Sequence, residues 1–201
     1  MRKVIVFLWM TGCMLTGYGQ TLKWSNGIAL SSMKAHPKRI LKDPRISYSG
    51  FVGCDYGTHT YYYLSSEIGF LQMGGKEGLA LYNFKPVRYN EHWNYLHLNT
   101  TFRLKYPFKK TYLYAGAGPQ ANFLIGNKGF RGAYFREYEY EMKKIVWGGK
   151  IEAGMVKEIG PRWEIGFNGA CLIPFVKVGE GEAGYFNQHA FLITCSAGYR
   201  F

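Results

Sequence analysis

Cysteine and proline are scarce in this 201-residue chain, at four and seven residues. Beyond the first twenty positions only Cys54, Cys171 and Cys195 remain. Their odd number and lack of paired spacing argue against a disulfide framework, and no Cys-x-x-Cys or His-x-x-x-His grouping offers a zinc site. After residue 19 no apolar run approaches the roughly 20 residues of a spanning helix. Acids are few as well, 13 against 25 lysines and arginines, which leaves a formal charge of +12. So basic a chain raises nucleic acid as a partner. No groove-reading helix pattern or finger spacing accompanies the charge, so nucleic acid is not expected. Gly116-Ala117-Gly118-Pro119-Gln120-Ala121 matches a dinucleotide fingerprint in its letters. It continues as strand, however, where pyrophosphate would need a helix N-terminus, and its glycines read as sites of close strand packing. No cofactor or metal is expected.

The chain is rich in aromatics, at 18%, and in glycine, at 26 residues, a composition of strands and turns. Met1-Arg2-Lys3, the apolar run Val4 to Met10 and the small and polar residues to Gln20 have the three parts of a secretory signal peptide. Gly17 and Gly19 place cleavage after residue 19, giving a leader over 1–19 and one domain over 20–201. The rival reading makes Cys13 a lipidated first residue.

From residue 22 onward eight segments alternate polar and apolar side chains. They span about Leu22–Ser31, Ser47–Tyr56, Thr60–Met73, Trp93–Tyr106, Thr111–Ile125, Lys144–Lys157, Arg162–Ile173 and Gln188–Phe201. Long polar connections at 32–46, 74–92, 126–143 and 174–187 take turns with short ones near 57–59, 107–110 and 158–161. Segments of about 10 to 15 residues exceed the usual soluble strand and suit a tilted crossing of a bilayer. The pattern predicts an all-β fold, an eight-stranded antiparallel up-and-down transmembrane β-barrel whose short turns face the periplasm. Trp24, Tyr56, Tyr62, Trp93, Tyr106, Trp147, Trp163 and Tyr199 stand near strand ends, as interfacial girdles require.

In lipid every backbone polar group needs an internal partner, so the sheet must close and its polar face must look inward. That face carries Glu67, Glu152 and Glu164 with Arg103, Lys105, Lys150 and Arg200. Charges of both signs in so narrow a space predict mutual ion pairing and a plugged lumen, with Glu67 and Arg103 as the expected pair. A conducting or gated polar channel is the alternative. His97, Ser65 and Glu67 share this face but stand at different depths, so a hydrolytic triad is not expected, nor is enzyme activity. Lys34, Lys38, Arg39, Lys42 and Arg45 face a single Asp43 across the first long connection. Such a loop would suit the phosphates of lipopolysaccharide, and a merely solvated loop would look the same.

The alternation from Phe191 to Tyr199-Arg200-Phe201 resembles the C-terminal signal, here Tyr199 and Phe201, by which the barrel-assembly machinery recognises its substrates. Trp93-Asn94-Tyr95-Leu96-His97-Leu98 through Tyr112-Leu113-Tyr114-Ala115-Gly116-Ala117-Gly118-Pro119 resembles the central hairpin of the PorT-like outer-membrane β-barrel family of Bacteroidetes. Gly69-Phe70-Leu71-Gln72-Met73-Gly74-Gly75-Lys76 is similar to that family's third strand end. The resemblance implies an outer-membrane barrel and, for members like PorT itself, a part in gliding motility or type IX secretion; it implies no catalytic residue. Three functional classes therefore stand open. One is a structural or interaction barrel of the cell envelope, contacting lipid, lipopolysaccharide or other envelope proteins. The others are a transport or secretion-complex subunit and a soluble lipocalin-like binding barrel.

Overall fold

In the computed structural model the described residues are 20–36, 43–82, 85–127, 140–181 and 184–201. The predicted leader, Cys13 included, lies outside them.

The chain forms ten strands: β1 (Thr21–His36), β2 (Arg45–Tyr56), β3 (Tyr62–Tyr82), β4 (Lys85–Phe108), β5 (Thr111–Asn127), β6 (Tyr140–Met142), β7 (Ile145–Glu158), β8 (Trp163–Pro174), β9 (Gly179–Gly181) and β10 (Gly184–Arg200). Eight of them run antiparallel in the order β1-β2-β3-β4-β5-β7-β8-β10, and β1 pairs with β10 from Thr21↔Arg200 to His36↔Tyr185. The sheet is closed, which removes the unpaired edges that hydrocarbon cannot tolerate. β9 and β6 add a short flap to the start of β10.

Period-two alternation decides which side chains face out. Val52, Ile68, Phe102, Ile151 and Phe167 are about half exposed on the outer surface, while Ser65, Glu67, Arg103 and Glu152 on the other parity are buried. A soluble barrel would hide its aliphatics and show its charges, so a belt of exposed Ile, Leu, Val and Phe identifies hydrocarbon as the outer solvent. The soluble lipocalin-like alternative is overturned by this belt.

Three sequence expectations need correction. Residues 74–92 are not a loop. β3 and β4 continue as a paired hairpin to Tyr82↔Lys85, with a bulge between Lys76 and Leu79 that absorbs the intervening residues. Strands of 21 and 24 residues exceed the roughly 9 to 11 needed to cross a bilayer, so this hairpin stands beyond the apolar belt. Lys34 and Arg45 belong to β1 and β2, because these strands extend past the apolar belt too, whereas Lys38, Arg39 and Lys42 lie outside the described residues. Finally, Trp93 is no girdle residue. Its parity is that of Tyr95 and His97, and it is 0% exposed inside the barrel.

At the opposite end the connections are tight. Phe108 pairs directly with Thr111 around Lys109-Lys110, and Lys109 adopts φ 56, in the left-handed region that costs a non-glycine residue about 1 kcal/mol. Gly118, from the fingerprint-like stretch, has a packing role: a Cβ there would collide with the Thr100 carbonyl of β4.

Candidate functional site

The lumen is the place where chemistry-bearing side chains converge, and it is layered along the barrel axis. At the short-turn mouth a cavity of about 360 Å³ is lined by Lys105, Lys110, Glu158, Glu164 and Arg200 among others. Next come Tyr63, Tyr112 and Tyr114, with Tyr63 edge-on to the other two at 6.1 and 6.2 Å between centroids. The Arg103 guanidinium lies over the Tyr114 ring at 4.8 Å.

Above the tyrosines lies a charge network with Arg103 at its centre. Arg103 Nε donates to Glu152 Oε1 at 2.6 Å and Nη2 to Glu67 Oε1 at 3.1 Å, while Nη1 stands 3.7 Å from Asp55 Oδ1. Lys150 Nζ bridges Glu67 Oε2 at 2.6 Å and Glu152 Oε2 at 3.0 Å. Lys23 Nζ pairs with Asp55 Oδ1 at 2.6 Å and donates to Ser65 Oγ at 2.9 Å. Three cations thus meet three carboxylates, all buried, and the net charge is zero. Neutral donors fill the remaining carboxylate lone pairs: Thr101 Oγ1 and Asn168 Nδ2 reach Glu152, and Asn99 Nδ2 reaches Glu67. Satisfaction of this kind is what allows ionised groups to stay in a dry interior.

The next layer is His97, whose Nδ1 contacts Asn122 Oδ1 at 2.6 Å and whose Nε2 contacts Asn99 Nδ2 at 3.0 Å. Ser65, His97 and Glu67 are linked only through other side chains: Asn99 Nδ2 stands between His97 Nε2 and Glu67 Oε2, and Lys23 Nζ between Ser65 Oγ and Glu67 Oε1. The half nearest the long connections is apolar. Met33, Leu71, Met73, Trp93, Leu172, Phe186 and Leu192 pack together there with Tyr95. The inward face is thus polar towards the short turns and apolar towards the long connections, where its side chains form an ordinary hydrophobic core.

Of the residues singled out for ion pairing, Glu67, Arg103, Lys150 and Glu152 come together in one network. Glu164 and Arg200 do not join it. They form a second cluster at the mouth, where Arg200 Nη2 donates to Glu158 at 2.9 Å and Glu164 at 3.2 Å. Lys105 joins neither. It lies two residues beyond Arg103 towards the mouth, with Nζ 5.5 Å from the Tyr112 ring centroid and 6.0 Å from that of Tyr63. Lys23, Asp55 and Glu158 were missed, although Thr21-Lys23-Ser25 on one parity against Leu22-Trp24 on the other would have placed Lys23 inside.

At the chain end, Tyr199 is edge-on to Trp163 at 5.1 Å and to Phe201 at 5.3 Å, and its hydroxyl accepts from Arg162 Nη1 at 3.0 Å. Phe201 is 76% exposed, and its N–H donates to the Gln20 carbonyl.

Among solved structures, neisserial surface protein A aligns over 90% of this chain and 97% of its own, with a TM-score of 0.55 at 9% identity. The fold is that of a small outer-membrane β-barrel. The outer membrane protein AlkL, determined in lipid bilayers, gives the same answer at a TM-score of 0.53 and 13% identity, over 92% of this barrel and 91% of its own chain. At such identities the likeness concerns architecture alone. No family model and no curated protein matches the sequence.

Proposed function

We propose that this barrel is a component of the outer membrane of a Gram-negative envelope, with its short turns in the periplasm. It works through its long-connection end as an anchor or docking platform, without conducting solutes and without catalytic activity. One observation carries this reading: the neutral charge network and the apolar layer above it fill the lumen in series. Arg103, Glu67 and Glu152 and then Trp93, Phe186 and Leu172 occupy it one layer after the other, all buried, which supports a closed lumen. The β3–β4 hairpin standing clear of the apolar belt supplies a surface for other envelope proteins. Arg45, at the same end, supports contact with lipopolysaccharide phosphates. Tyr199 and Phe201 support recognition by the barrel-assembly machinery.

The test is conductance. Refolded protein in planar lipid bilayers is expected to give no discrete current steps, and reproducible single-channel openings would overturn the sealed-lumen reading. A second reading, as a subunit of a secretion or gliding complex, is supported by the PorT-like resemblance of the β4–β5 hairpin. It predicts that detergent-solubilised native envelopes yield this barrel in a defined complex with other envelope proteins, whereas an anchor for polysaccharide or lipid would elute alone.

A further inference from the structure

The cavity at the short-turn mouth differs from the rest of the lumen in one respect: its charges do not cancel. Of its carboxylates, Asp55 pairs with Lys23, while Glu158 and Glu164 share the single Arg200, which leaves one negative charge against the lysines of the cavity. Three further cations line it: Lys105, Lys109 and Lys110. None of the three makes an ion pair among the described residues. Lys105 rests its ammonium between the faces of Tyr63 and Tyr112, which lowers the cost of leaving it without a carboxylate.

The Tyr63 hydroxyl is buried in the cavity wall against the Arg103 guanidinium, so the ring rather than the hydroxyl faces Lys105. Of the two turn residues only Lys109 has a positive φ, a position that glycine would fill without strain. Thr21, Thr58 and Thr111 add hydroxyl groups to the same wall.

We propose that this vestibule is a binding site for a phosphate group, with Lys105 at its floor and Lys109 and Lys110 at its rim. A planar carboxylate would call for an arginine fork, but Arg200 is occupied by two glutamates. Separate ammonium and hydroxyl donors suit a tetrahedral oxyanion that accepts from several directions. About 360 Å³ accommodates a phosphorylated small molecule or a single lipid headgroup leaning in over the short turn. On the proposed orientation the supply is periplasmic.

Calorimetric titration of the folded, detergent-solubilised full chain with inorganic pyrophosphate tests the site. Saturable binding with a Kd of about 1 mM or tighter is expected. Lys105→Gln should weaken it about tenfold, as loss of a charge-assisted contact does. Lys109→Gly/Lys110→Ser should weaken it similarly, and glycine at the positive-φ position relieves turn strain, so its folding is secure. Lys157→Gln, at an exposed lysine outside the cavity, should leave binding unchanged. Absence of saturable heat, or equal weakening by Lys157→Gln, would overturn the proposal. Native mass spectrometry from phosphatidylglycerol nanodiscs identifies the source. Bound lipid lost in Lys105→Gln assigns the site to a headgroup, and pyrophosphate binding without retained lipid assigns it to a free phosphate compound.

Discussion

Arg103 satisfies two buried carboxylates and faces a third, Asp55, at 3.7 Å. Arg103→Met would leave Glu152 short of its closest partner and is expected to destabilise the barrel by about 3 to 5 kcal/mol, read from guanidinium unfolding in micelles. Arg103→Lys should restore little, since one ammonium cannot replace a fork that points to Glu152 and Glu67 at once. Adding Glu152→Gln to Arg103→Met should recover part of the loss; a double variant as unstable as the sum of the singles would show that the two residues do not act as a pair. Most of this network was legible from parity, because β3, β4 and β7 alternate cleanly. Lys23 and Asp55 are less legible because the small residues Ser25, Gly27, Gly50 and Gly53 blur the polar and apolar faces of β1 and β2. Trp93 was misassigned because its type suggested an interface while its parity said interior.

At the level of strands, close approach rather than hydrophobicity limits what the sequence tolerates. Gly118→Val would force a side chain into the Thr100 carbonyl and push β5 from β4, so the yield of folded barrel should drop sharply, whereas Gly160→Ala, in an open turn, should be silent. Phe201→Ala is expected to lower insertion in cells with little effect on stability after refolding in vitro, since the ring is 76% exposed and touches only Tyr199 among the ring contacts observed. Strand identity was readable from alternation throughout, but strand length was not. Gly74-Gly75 and Gly78 look like loop punctuation, yet the ladder continues through them by way of one bulge.

For the molecule as a whole, closure of β1 on β10 makes unfolding all-or-none. Unboiled samples should therefore migrate differently from boiled ones on detergent gels, and identical mobility would argue against a closed barrel. Architecture was the most legible property because long and short connections alternate along the chain. The apolar layer around Met33, Leu172 and Phe186 was not, since alternation reports only that two faces differ and cannot tell lipid from a dry interior.

The six charges of the central network are contributed by five strands, the consecutive β1, β2, β3 and β4 and, from the other half of the barrel, β7. Should any one of these slip by a single residue, its lysine, arginine, aspartate or glutamate would turn towards hydrocarbon while an isoleucine or phenylalanine entered the salt. The arrangement therefore proofreads assembly: wrongly threaded chains find no resting state in the bilayer, and only the correct alignment neutralises every ion simultaneously.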